Sequence, residues 1–191
     1  ATVAPNTIIK HPEILGVCYA EGEFAVLKLL DGFDHGQIDF NTKNMWFNKD
    51  GKIIKNDFDS KISFDDSWPF LDWSDCSDVH FIYPFEGKLY RRGSYFLSRG
   101  CPFSCNYCIN NFFTGVSKTN IRSKKVDFAI EELKFLKNKH NLEFIRFWDE
   151  TFLAMPVNYL RDFTAKYKEE IGLPCTIETT GNTISETKVK L

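Results

Sequence analysis

Three cysteines lie within eight residues in the stretch Ser94-Tyr-Phe-Leu-Ser-Arg-Gly-Cys101-Pro-Phe-Ser-Cys105-Asn-Tyr-Cys108. They follow a short apolar run and an Arg-Gly break, at spacings of four and three residues. Thiolates are soft ligands that suit iron–sulfur clusters and zinc. A fully ligated cubane cluster takes four cysteines, so three from one loop leave one iron open. The stretch therefore predicts a metal centre with a free coordination position.

From Gly93 onward the sequence alternates between strand and helix patterns. Three β-prone runs are predicted as strands: Ser94–Ser98, Leu142–Trp148 and Cys175–Thr180. Apolar residues at helical spacing predict helices over residues 125–139 and 160–171, and Ser185 is a candidate cap for another. We interpret the charged run Arg122–Lys125 as a solvated helix start, with an anion contact as the alternative. Strands separated by helices of this length imply parallel pairing with helical crossovers.

The first half of the chain has weaker patterns. A helical turn at Pro5–Lys10, a strand at Ile14–Tyr19 and a helix at Phe24–Leu30 precede a hairpin whose turn is Asp50-Gly51. One strand–helix unit cannot bury both faces of its strand, so we expect the rest of that sheet upstream, in a longer protein. Residues 57–92 are rich in Asp and aromatic side chains and predict an irregular linker that lies on the next domain.

Composition narrows the classes of partner. The net charge of −2 gives no reason to expect nucleic acid, and no apolar run is long enough to span a membrane. Six cysteines, only three of them clustered, do not resemble a secreted disulfide framework. We therefore expect a cytoplasmic, reducing environment.

The longer string from Arg99 to Cys108 resembles the signature of the radical S-adenosylmethionine (SAM) superfamily, in the branch with an N-terminal cobalamin-binding domain. Residues 1–34 resemble the last strand–helix unit of that domain. The resemblance implies an α/β fold: the first half of a partial (βα)6 TIM-like barrel, preceded by the tail of a Rossmann-like cobalamin-binding domain. The implied divisions are the cobalamin-domain end at 1–36, a hairpin and linker at 37–92, and the radical SAM core at 93–191.

The resemblance also implies roles for particular residues. It assigns Cys101, Cys105 and Cys108 to a four-iron, four-sulfur (4Fe–4S) cluster whose open iron chelates SAM, and it includes the neighbouring Tyr107 among the cofactor-binding residues. The end of strand two resembles the family motif that receives the amino group of SAM; its residues are Trp148, Asp149 and Glu150. Strand three would supply contacts to the ribose and carboxylate of SAM from Glu178, Thr180 and Asn182. Strand alternation places Arg146, Trp148 and Glu150 on one face of strand two and Ile145 and Phe147 on the other. The structural alternatives for Glu150 are an ion pair with Arg146 and an acid at a helix N-terminus.

The implied activity is reductive cleavage of SAM to a 5′-deoxyadenosyl radical that abstracts hydrogen from an unknown small-molecule substrate. In some members cobalamin then carries a methyl group, and an external flavodoxin or ferredoxin-type donor supplies the electron. We expect the chain alone, with half a barrel, not to turn over. The alternatives are a methylthiotransferase-type radical SAM enzyme and a non-catalytic iron–sulfur or zinc-binding protein with a fourth ligand.

Overall fold

The computed structural model describes residues 1–58, 68–117 and 121–191. Residues 59–67 of the predicted linker therefore lie outside the described residues. The chain divides into two compact units, Ala1–Ile62 with Asn106–Thr119, and Ser63–Cys105 with Asn120–Leu191. Over the described ranges, none of the helices combines the length and the apolar character that crossing a membrane requires.

The first unit contains a small antiparallel sheet and three helices. Its elements are α1 (Pro5–Ile8), β1 (Gly16–Cys18), α2 (Glu23–Asp34), β2 (Met45–Lys49), β3 (Lys52–Lys55) and α3 (Ile109–Ser117). The strands pair in the order β1-β2-β3. The predicted helical turn, strand, helix and hairpin are confirmed, but α2 continues past Gly32 to Asp34 and α3 was not predicted. The described neighbour of β1 is β2, which lies downstream, whereas we expected its neighbours upstream.

The hairpin turn in this unit follows from its sequence. Asp50 and Gly51 have φ values of 52° and 82°, and Asn48 Oδ1 accepts a hydrogen bond of 3.0 Å from the Gly51 amide. Two consecutive left-handed residues give the turn the twist that its strands need, and Asp-Gly adopts that conformation at low cost. Ala25, Met45 and Phe47 form the small core beneath the sheet.

The described elements of the second unit are a 3₁₀ turn (Asp78–Phe81), β4 (Ile82–Phe85), β5 (Lys88–Tyr95), β6 (Ser98–Arg99), β7 (Arg122–Ser123), α4 (Val126–His140), β8 (Phe144–Phe147), a 3₁₀ turn (Phe152–Ala154), α5 (Val157–Lys166), a π-helical turn (Tyr167–Ile171), β9 (Cys175–Thr176), a 3₁₀ turn (Gly181–Thr183) and α6 (Glu186–Val189). Four of the strands form a sheet in the order β4-β5-β8-β9. The pairs β5–β8 and β8–β9 are parallel. This confirms the predicted βα series, and the amide of Lys188 bonds to the predicted cap at Ser185.

Three predictions within this unit are wrong. The end of the predicted linker is not irregular, because β4 and the first half of β5 form an antiparallel hairpin over residues 82–95. Its turn residues Glu86 and Gly87 are both left-handed, and Pro84 is tolerated because β4 is an edge strand. The first strand therefore begins at Lys88 and not at Ser94, and the third strand ends early, at Thr176.

The core of the second unit lies between the sheet and its helices. Ala129, Ile130, Leu133 and Leu136 of α4 pack with Leu160 and Phe163 of α5 in one cluster of buried residues. Strand β8 contributes Ile145 and Phe147 to this cluster, whereas Arg146 and Trp148 are partly or well exposed. The predicted alternation of faces along strand two is thus confirmed. Trp73 of the linker also packs against the cluster, as its aromatic character predicted.

Candidate functional site

The three cysteines of the motif begin immediately after β6. Cys101 is buried and Cys105 half-buried, both in the second unit; Cys108 is half-buried in the first unit, just before α3. Tyr107 is 93% exposed. All six cysteines of the chain are free thiols. Within the described ranges, no three His, Cys, Asp or Glu side chains converge closely enough to hold a metal ion. The donor set itself, three free thiols from one short segment, suits three of the four irons of a cubane cluster.

A buried carboxylate fixes the chain just before the cysteine segment. Asp149 Oδ1 accepts hydrogen bonds of 2.6 Å from both the amide and the hydroxyl of Ser98, and the Leu97 amide lies 3.1 Å from both carboxylate oxygens. Burial raises the pKa of Asp149, and these hydrogen bonds oppose the shift. Asp149, two residues after the end of β8, therefore anchors β6, the strand that leads to Cys101. That Asp149 also contacts SAM stays a prediction.

The face of the sheet opposite the core has a charged group at the ends of β8 and β9. The guanidinium of Arg146 pairs with the carboxylate of Glu178 and stacks over the Trp148 ring, with Cζ 3.6 Å from the ring centroid. The ion partner of Arg146 is thus Glu178, whereas the alternative from the sequence was Glu150. Trp148 and Glu150 are both exposed. The structure brings Arg146, Trp148 and Glu178 together on the face that the strand alternation predicted.

The segment after β9 is tied to the turn after β8. The Phe152 amide donates to the Glu178 carbonyl at 2.9 Å, and the Leu153 amide donates to Thr179 Oγ1 at 3.2 Å. Farther along, the Thr180 hydroxyl donates to Asn182 Oδ1 at 2.6 Å. These bonds place the two strand ends beside each other, although the strand pairing itself stops at Thr176. Of the predicted residues on strand three, Glu178 is therefore close to the end of strand two, whereas the hydrogen bond that joins Thr180 to Asn182 is local.

The second unit also contains a buried charge cluster that was not predicted from the sequence. Lys124 and Glu132 are 3% and 1% exposed, and their Nζ and Oε2 atoms are 2.5 Å apart. The Tyr95 hydroxyl donates to the same oxygen at 2.5 Å, and the Leu71 amide donates to Oε1 at 2.8 Å. The prediction of a solvated Arg122–Lys125 run is therefore wrong at Lys124. Glu132 lies between Ala129 and Leu136 on the apolar face of α4, which was the available signal.

The comparison with protein families decides the assignment. The family model described as the Radical SAM superfamily matches residues 95–191, which cover the strand end, the three cysteines and the βα units that follow. The chain belongs to the radical SAM superfamily. This confirms the family resemblance of the cysteine motif.

Relatives of this radical SAM chain are longer than the chain. An uncharacterized methyltransferase of Pyrococcus horikoshii, PH0819, is 25% identical over 191 residues, which are 99% of this chain and 40% of the relative. The structure of OxsB, a cobalamin-dependent SAM radical enzyme, matches with a TM-score of 0.65 and 16% identity over 98% of this chain and 26% of OxsB. The chain thus spans less than half the length of each of these relatives.

A second solved structure supports the same fold. It is the radical SAM methyltransferase TsrM of Kitasatospora setae, which matches with a TM-score of 0.69 and 11% identity over 99% of this chain and 37% of TsrM. At these identities the likeness establishes the fold. The match covers nearly all of this radical SAM chain, so both of its units have counterparts in that fold. The predicted fold class is confirmed as a mixed α/β fold that matches part of these proteins.

Proposed function

We propose that the chain is the cofactor-binding part of a radical SAM enzyme that transfers a methyl group with the help of cobalamin. The observation that carries the proposal is the family match over residues 95–191 around three free thiols spaced as Cys-x₃-Cys-x₂-Cys. TsrM was solved with cobalamin and a 4Fe–4S cluster bound, and the Pyrococcus relative is named a methyltransferase. These two relatives support methyl transfer over methylthio transfer.

Each group of predicted residues has a separate role in this proposal. Cys101, Cys105 and Cys108 would hold a 4Fe–4S cluster and leave one iron open for SAM. When bound, the cluster supplies the electron that cleaves SAM into methionine and the 5′-deoxyadenosyl radical that abstracts hydrogen from substrate. The remaining predicted contacts to SAM are Tyr107, Trp148, Asp149, Glu150, Glu178, Thr180 and Asn182. Glu178 is already oriented by Arg146, which lowers the entropic cost of using its carboxylate for binding.

The domain assignment stays part of this proposal. We infer that residues 1–36 end a cobalamin-binding domain, that 37–92 connect it to the core, and that 93–191 form the first half of the barrel. We also propose a small-molecule substrate, an external flavodoxin or ferredoxin-type electron donor and a cytoplasmic location. The six free cysteines support a reducing compartment.

Anaerobic reconstitution tests the proposal in the protein expressed from its complete reading frame. We expect about four iron and four sulfide per chain, and an EPR spectrum of the reduced protein that changes when SAM is added. The Cys101→Ala variant should lose the cluster, whereas Cys76→Ala, which removes an exposed cysteine outside the motif, should retain it.

Three results would reject all or part of the proposal in different ways. Zinc without iron would favour a closed structural site. A cluster whose EPR spectrum does not respond to SAM would favour an electron-transfer protein. Full cluster loading with no cobalamin bound would leave the radical SAM assignment in place and reject the cobalamin-dependent methyl transfer.

A further inference from the structure

The hydroxyl of Thr151 lies between two groups of the proposed cofactor site. Its Oγ1 is 3.7 Å from Cys101 Sγ and 2.6 Å from the Glu150 main-chain carbonyl, to which it donates. Thr151 is 3% exposed and Cys101 is 8% exposed, so bulk water has little access to either contact. Thr151 thus touches both a proposed cluster ligand and the backbone of the residue proposed to receive the SAM amino group.

The position of Thr151 is fixed by its neighbours in the chain. On one side, Asp149 is held by the amides of Leu97 and Ser98. On the other side, the amide of Phe152 donates to the Glu178 carbonyl at 2.9 Å, and the amide of Ala154 donates to the Thr151 carbonyl at 3.0 Å. Because both flanks are bonded to the ends of other strands, the hydroxyl is held in place before any cofactor binds.

A threonine hydroxyl has one proton to donate and two lone pairs to accept with. A cysteine sulfur that ligates iron is a hydrogen-bond acceptor, and hydrogen bonds to such sulfurs help to set the reduction potential of the cluster. Thr151 Oγ1 therefore has two acceptors within reach for its single proton: the Cys101 sulfur and the Glu150 carbonyl. A stronger bond to one weakens the bond to the other.

We infer that Thr151 is a positioning residue that couples the Cys101 cluster ligand to the SAM-binding backbone at Glu150. The inference rests on the proposed function, since both of its partners take their roles from that proposal. In the loaded protein the hydroxyl donates to the Cys101 sulfur, stabilises the reduced cluster and leaves the Glu150 carbonyl available to the SAM amino group.

The test compares three variants in the reconstituted full-length protein without SAM. Thr151→Val keeps the side-chain shape and removes the hydroxyl, Thr151→Ser restores the hydroxyl, and Thr164→Val is the matched control. Thr164 Oγ1 also donates to a main-chain carbonyl, that of Leu160 at 2.8 Å, but its residue lies on α5. The readouts are the midpoint potential of the cluster and its deuteron hyperfine coupling after exchange into D₂O.

We expect Thr151→Val to disfavour cluster reduction about tenfold, which for one electron is a midpoint potential about 59 mV lower. The same variant should lose one deuteron coupling. Thr151→Ser should keep both properties within about twofold of the wild type, and Thr164→Val should be unchanged. A Thr151→Val protein with full iron content and the wild-type potential would overturn the inference.

Failure of the variant to load is also informative. Loss of iron from Thr151→Val with an unchanged circular dichroism spectrum supports a positioning role if Thr151→Ser restores the iron, and contradicts the inference if it does not. A wild-type protein that binds no iron would instead reject the proposed function itself. The two failures are therefore distinguishable.

Discussion

Replacing Glu132 should destabilise the second unit more than replacing Glu131, the carboxylate that precedes it on α4. Its carboxylate accepts hydrogen bonds from the Lys124 ammonium, the Tyr95 hydroxyl and the Leu71 amide, at 2.5, 2.5 and 2.8 Å. The Glu132→Leu variant leaves Lys124 charged and buried without this partner. Removing one member of a buried ion pair costs about 3–5 kcal/mol in the free energy of unfolding. Burial already lowers the pKa of Lys124. In the variant, Lys124 should therefore release its proton more readily, which relieves part of the cost of burying an unpaired charge.

The assay is equilibrium unfolding in urea at neutral pH, with the free energy of unfolding extrapolated to water. Glu131→Leu is the matched control, because Glu131 is the preceding residue on the same helix, is well exposed, and shares its partner Lys134 with Glu170. Removing that exposed pair should cost no more than about 1 kcal/mol.

A double substitution separates the pair from its surroundings. Lys124→Met combined with Glu132→Leu removes both charges, so we expect it to be more stable than Glu132→Leu alone. A Glu132→Leu cost below about 1 kcal/mol would refute the reasoning, since it would mean that the buried charge finds another partner or water at no cost. A double variant less stable than either single variant would refute it equally.

Two further predictions concern His140 and Gly93, which both lie beside Trp73 in the second unit. Desolvation between Trp73 and Phe81, and then the nearby charges of Lys139 and Arg91, lower the pKa of His140 in the folded state. The unfolded chain therefore binds more protons below an ordinary histidine pKa of about 6.5, and the free energy of unfolding should decrease there as the pH is lowered. His140→Phe should flatten this slope in urea titrations between about pH 5 and 7.5, and parallel pH profiles would contradict the assignment. Separately, Gly93→Ala would place a Cβ 2.6 Å from Leu142 Cδ1 and 3.2 Å from the Trp73 ring, and should cost about 1–3 kcal/mol in thermal unfolding. Gly181→Ala, with open space at its Cβ, is the control, and equal melting temperatures for the two variants would argue against the close packing.

Features set by local sequence were predicted best. The α4 helix and the alternation along β8 depend on residues three, four or two positions apart, so their patterns are complete within one segment. The three cysteines are also local, and the string from Arg99 to Cys108 carried the family resemblance that the family model confirmed. The edge strand β4 was missed because residues 57–92 were assigned to one irregular linker from their Asp and aromatic content, although Glu86-Gly87 was a usable turn signal.

Features set by tertiary contacts could not be predicted in the same way. Asp149 and its partners Leu97 and Ser98 are about fifty residues apart, and Glu132 and its partner Leu71 are sixty-one apart. A single sequence does not indicate which distant residue a carboxylate will contact. The geometry of Thr151 is of the same kind, because it exists only once the end of β8 lies beside the start of the cysteine segment.

The pairing of β6 with β7 has a consequence for the length of the cysteine segment. Ser98 pairs with Ser123 and Arg99 with Arg122, so the residues between them start and finish at neighbouring points on one sheet. The chain entropy lost on closing a loop grows only with the logarithm of its length, by about 0.6 kcal/mol for each doubling. A longer connection between Arg99 and Arg122 should therefore add little to the entropic cost of pairing β6 with β7. Evolution can therefore lengthen the chain that follows the three thiols while the pairing of β6 with β7 stays the same.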